Sequence, residues 1–135
     1  MNKLEATIKE IITHDGISLV KLESPGNVVF TSVVIDTPET AGYLKTGNRV
    51  NMLFKETEVS IAKGAVENIS LQNRIPCKIK AINTGILFCE LHLVWGDNNL
   101  YSIITGNACR QLKLQENDAV TALIKTNEIS LSPHD

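Results

Sequence analysis

A chain of 135 residues with a formal net charge of −2, 43% hydrophobic and 21% charged residues has the composition of an ordinary globular protein, which excludes extensive disorder. Three Phe, two Tyr and one Trp with no Lys/Arg cluster also exclude a nucleic-acid surface, which needs a basic stripe and stacking platforms. The apolar runs break within about ten residues, too short to span a bilayer as a helix, and no charged-then-apolar leader opens the sequence, so a cytoplasmic protein without membrane contact is expected.

Residues 4–12 (LEATIKEII) alternate apolar and polar at first and are β-branched, which predicts a half-buried strand. His14-Asp15-Gly16 turns the chain into a second strand over 17–23. Ser24-Pro25-Gly26-Asn27 predicts a hairpin, because proline fixes φ and glycine supplies positive φ, and the return strand runs from Val28 to Ile35. Asp36-Thr37-Pro38-Glu39 has a capping residue, a proline suited to a first helical turn and an acid near the helix N-terminus, so a short helix to about Leu44 is expected. Lys45-Thr46-Gly47-Asn48 then leads into Val50–Ile61, a strand, a lysine corner and a second short strand.

That element recurs. Val120–Leu131 repeats Val50–Ile61 with Val, Leu, Lys, Glu and Ser in the same places, so the chain is a tandem duplication. In the second copy Ile75–Ile82 matches Leu4–Ile11, and Leu87–Val94 matches the second strand. Trp95–Asn99 replaces the Pro-Gly turn, Leu100–Thr105 returns, and Asn107–Leu112 is the short helix. Five short strands and one helix per half predict an all-β protein of two tandem five-stranded OB-like Greek-key barrels, each with one short helix. The boundaries read as a first barrel at 1–64, a linker at 65–69 and a second barrel at 70–135. Halves of about 60 residues bury little surface alone, so close packing and a homo-oligomer are expected.

Cys77, Cys89 and Cys109 are odd in number and lack C-x-x-C spacing, which suggests neither a disulfide framework nor a zinc site; they read as buried small hydrophobes. His14, His92 and His134 lack neighbours at metal-ligand spacing. With no nucleophile–base pair and no paired carboxylates, the chain does not read as an enzyme.

The closing pattern apolar-x-Ala-Leu-Ile-Lys at Val120–Lys125, preceded by Leu-x-x-Asn-x-x-Val at Leu114–Val120, resembles the Mop domain, a molybdate-binding domain of the TOBE class. The opening Ser70-Leu71-Gln72-Asn73-Arg74-Ile75-Pro76-Cys77-Lys78 is similar to the start of such domains, and Gly85–Leu93 (GILFCELHL) to their second strand. The resemblance runs over residues 2–132 in the right order. It implies a stand-alone pair of Mop domains that stores molybdate or tungstate between subunits of a homo-oligomer, a trimer before a dimer, with no organic cofactor. Gln72 stands where the family usually has Arg, and the first copy lacks the Ser-x-Arg part of the motif.

A doubly charged tetrahedral oxyanion needs hydrogen-bond donors in a dry recess and one or two positive charges. The resemblance implies that Lys125, the amides of Thr126 and Asn127, and further donors from Ser70, Gln72 and Thr105 supply them; Lys55, Glu56 and Thr57 form the corresponding corner of the first copy. A lysine at a strand end is, in most proteins, simply solvated. The other functional class open to such a barrel is a non-catalytic interaction or sensor module holding a partner protein or another small ligand.

Overall fold

The computed structural model describes residues 1–134 and is all-β apart from one α-helix and two 3-10 turns. Ten strands form two five-stranded antiparallel sheets. They are β1 Asn2–His14, β2 Ile17–Ser24, β3 Val28–Val34, β4 Arg49–Phe54, β5 Ser60–Lys63, β6 Asn73–Thr84, β7 Phe88–Trp95, β8 Asn98–Thr105, β9 Ala119–Ile124 and β10 Ser130–Pro133. Helix α1 covers Gly106–Gln111, and the 3-10 turns Glu56–Glu58 and Thr126–Glu128 follow the two lysines.

The chain forms two compact units that differ from the contiguous halves 1–64 and 70–135. The first consists of Met1–Phe54 with Lys125–Asp135, and the second of Lys55–Ile124. The cause is a strand exchange: the sheet orders are β10-β4-β1-β2-β3 and β5-β9-β6-β7-β8. β10 pairs with β4 (Ser130 opposite Leu53), and β5 pairs with β9 (Ser60 opposite Leu123). Each unit thus takes its closing strand from the other copy of the repeat. In each unit that strand also lies against the far side of the sheet, β10 against β3 and β5 against β8, which curls the sheet toward a barrel.

Alternation sets the core of each sheet. In β6, Asn73, Ile75, Cys77 and Ile79 point inward while Arg74, Pro76 and Lys78 point out, and the same two-residue period places Ala6 and Ile8 inside the first unit. Leu22, Phe30 and Met52 join them there, as Leu91, Leu93 and Leu100 do in the second unit, all fully buried. Each such side chain contributes about 1.5–3 kcal/mol. Both long strands break register at matching points, between Ile8 and Glu10 and between Ile79 and Ala81, so the bulge belongs to the repeat.

The first-half helix expected up to Leu44 does not form. Thr37 caps a single turn, exchanging bonds with Thr40 (Thr37 N to Thr40 Oγ1 2.8 Å, Thr40 N to Thr37 Oγ1 3.2 Å) and taking the Ala41 amide on its carbonyl at 2.8 Å. Gly42 follows, and glycine inside a helix costs about 1 kcal/mol. The chain turns there and buries Leu44 instead. No glycine interrupts Asn107–Leu112 in the second copy, and α1 forms.

Candidate lysine-corner site

Each corner is built from a strand end, a lysine and a 3-10 turn. At Lys55 and Lys125 the backbone is extended (φ −76, ψ 150 and φ −67, ψ 149), which ends the strand, and the amides of Glu58 and Glu128 bond back to the two lysine carbonyls at 3.0 and 3.1 Å. The recurrent glutamate has a local role in the first copy, where Glu58 Oε1 accepts the Lys55 amide at 3.0 Å. In the second turn the amides of Thr126 and Asn127 have no acceptor within the turn itself, whereas in the first turn the Glu56 carboxylate accepts its own backbone amide.

What holds the corner in place is a buried serine that the sequence reading passed over. Ser32 on β3 donates to the Ile129 carbonyl at 2.6 Å in the first unit, and Ser102 on β8 donates to the Val59 carbonyl at 2.7 Å in the second. Both serines are 0% exposed, and the isoleucine and valine they hold are 1% exposed. Their spacing of 70 residues, the same as that of Lys55 and Lys125, is the signal that could have found them. Asn2 and Asn73 carry a similar signal. Each opens the first strand of its copy of the repeat, buried, in register with Phe54 or Ile124, the residue before the lysine.

The structure sorts the expected residues into two sets. In the second unit, the turn Glu56–Glu58 after Lys55 packs against β8, whose last residue is Thr105; Ser70 and Gln72 lie exposed ahead of β6. In the first unit, the turn Thr126–Glu128 after Lys125 packs against β3, and the place of Thr105 is taken by Ile35, 87% exposed. Thr105 Oγ1 is already used as the acceptor of the Ala108 amide at 3.1 Å, capping α1, so only its hydroxyl proton remains to be offered. Gln72 precedes Arg74 by two residues, and both sit at exposed positions of the alternation that leaves Asn73 buried.

Among the described residues, neither lysine is buried in a dry recess of the single chain. Lys55, Thr57, Lys125 and Asn127 are all exposed, and Glu56 and Thr126 half-buried, with the same pattern at both corners. A recess of about 250 Å³ does lie beside Asn127, but Asp36 and Tyr43 line it. Tyr43 donates to Asp36 Oδ2 at 3.5 Å and to the Leu131 carbonyl at 3.4 Å; burial, then the Asp36 charge, pushes its phenol above the usual range. A carboxylate in that recess repels an anion.

Cys77 and Cys89 are buried as expected and Cys109 is half-buried. Among the described residues no group of three His, Cys, Asp or Glu side chains has metal-binding geometry, and no helix is long and apolar enough to cross a membrane.

Residues 69–131 match the TOBE domain family. None of the curated proteins matches the sequence. Among solved structures, the chain is similar to the cytoplasmic molybdate-binding protein ModG, in a crystal form with molybdate bound, at 21% identity and a TM-score of 0.92, covering 98% of this chain and 96% of that one. That likeness extends the shared fold over both units.

Proposed function

We propose that the chain, whose residues 69–131 match the TOBE domain family, binds a molybdate-class oxyanion at its lysine corners and serves as a cytoplasmic, non-catalytic store for it. The observation that carries the reading is the repeated corner. Two lysines 70 residues apart keep the same extended backbone, the same following turn and the same exposure while their neighbours differ, in a chain whose fold matches that of a molybdate-bound protein.

Lys125 supplies an ammonium, and the amides of Thr126 and Asn127 with the Asn127 side chain supply neutral donors. At the other corner Lys55 and the amide of Thr57 do the same, with the hydroxyls of Thr57 and Thr105 beside them, while the Glu56 amide is taken by its own carboxylate. Ser70 and Gln72 are further donors from the segment ahead of β6. A charge–charge contact this exposed is weak in water, so tight binding requires that a second copy of the chain cover the corner; a trimer is the assembly we favour over a dimer.

The test is calorimetric titration of the full chain with molybdate, tungstate and sulfate, beside Lys125→Ala. Molybdate and tungstate, equal in shape and charge, bind alike and displace each other. Losing one charge-assisted hydrogen bond weakens binding by about 1.5–3 kcal/mol while the melting temperature holds. No heat from either anion, or a collapse of melting temperature with affinity unchanged, overturns the assignment. Sedimentation that finds only monomer at micromolar concentration, with and without molybdate, refutes the covered site.

A further inference from the structure

The second unit holds a feature that the anion reading does not use. Cys89, on β7 and 0% exposed, donates its thiol to Cys109 Sγ at 3.3 Å, and Cys109 sits half-buried on α1. The helix is also tied to the strand at its start, where the Gly106 amide bonds to the Leu87 carbonyl at 2.9 Å. We propose that Cys89 and Cys109 are a thiol-oxidation site, at which a low-molecular-weight disulfide is reduced and the two cysteines become covalently joined.

Sulfurs 3.3 Å apart need to close by only a little over 1 Å to reach a bond of about 2.05 Å. The moving partner is a six-residue helix joined to the sheet by few bonds, not a core strand. Access assigns the order of events. The Cys109 thiolate, the more exposed of the two, attacks one sulfur of the small disulfide, breaking its S–S bond, forming a mixed disulfide and expelling one small thiolate. Cys89 then attacks the Cys109 sulfur and expels the second. The two protons lost by the protein thiols end on the two small thiols, and two electrons pass from the cysteines to the reagent. Burial and the neighbouring Cys89 thiol push Cys109 up to about 11, with Arg110 opposing, so the first step is slow near neutrality.

The first unit offers an internal control. Ser18 and Glu39 occupy the places of Cys89 and Cys109, and Ser18 bonds instead to Thr13 Oγ1 at 2.9 Å. Oxidation therefore fixes α1, and with it the Thr105 cap, and leaves the turn at Thr37–Ala41 free. This inference does not depend on anion binding.

The experiment incubates the full, reduced chain with excess oxidised glutathione at mildly alkaline pH and follows intact mass. The expected product has lost two hydrogens and retains no glutathione, with Cys89 and Cys109 joined in the peptide map and Cys77 still free. Cys89→Ser stops at one glutathione on Cys109, and Cys109→Ser, at the less buried position, takes up neither change. In the oxidised chain, hydrogen exchange at Asn107–Leu112 slows about tenfold while β3 is unchanged. Wild type that halts at the mixed disulfide, a joined pair that forms only in denaturant, or unaltered oxidation of Cys109→Ser overturns the proposal.

Discussion

The two units have the same sheet and are assembled from the chain in different ways. The second is one continuous segment, Lys55–Ile124; the first needs Met1–Phe54 and a return of the chain at Lys125. They also differ where β3 and β8 end. The first unit leaves Ile35 exposed and makes one turn, whereas the second ends on Thr105, which caps a helix. A duplicated sequence keeps its sheet because alternation and the bulge are distributed over many residues. The strand-end details diverge because one or two residues decide each of them.

The largest effect should come from cutting the chain. Lys55–Ile124 made alone is expected to give a dispersed amide spectrum with sheet signals. Residues 1–64 are expected to give an unfolded one, since that piece lacks β10 and carries β5 with no β9 to pair. Two well-dispersed spectra would mean that β5 can replace β10, and would erase the contrast between the units.

Next come the buried serines. Ser32→Ala and Ser102→Ala each leave a buried carbonyl without its donor, which costs about 1–3 kcal/mol in denaturant unfolding. Exchange protection should fall locally, near Ile129 in one variant and Val59 in the other. A smaller cost follows from the caps: Thr105→Ala should lose about 1 kcal/mol through α1, and Thr37→Ala less, because only one turn depends on it. Equal losses would show that the helix adds nothing to the second unit.

The smallest effect concerns Glu5, found only in the first unit, since Pro76 stands in its place in the second. Its bonds to His134 and then to Arg49 hold its carboxyl below the usual range. A depressed folded-state pKa contributes stability above the ordinary carboxylate pKa, and that contribution disappears as pH falls through the folded value. Glu5→Gln should therefore lower stability slightly at neutral pH and converge with wild type in acid. A constant difference across an acid titration would assign the effect to packing.

Much of the strand plan was legible in the sequence because it depends on local signals. The Pro25-Gly26 hairpin, the alternation of Ile75–Ile79 and the helix after Thr105 are all found in the structure. The exchange of β5 and β10 was not legible. Ser60-Ile61 and Ser130-Leu131 have nearly the same pattern and suit either sheet, so the choice rests on pairings that local reading does not see. The helix expected up to Leu44 failed on Gly42. For the site, the repeat identified the lysines and their turns but gave no measure of exposure. The sulfur pair was hidden because Cys89 and Cys109 are 20 residues apart, with none of the spacings that mark paired cysteines.

The exchanged strands also set a timetable for synthesis. β4 emerges from the ribosome with β1, β2 and β3 already made, yet its neighbour β10 is translated only after the whole of the second unit. The second unit has every strand of its sheet available once Ile124 has emerged, while the first waits with one edge of β4 open. The order of completion is therefore the reverse of the order of translation, and the nascent chain carries an unfinished sheet for as long as the second unit takes to be made.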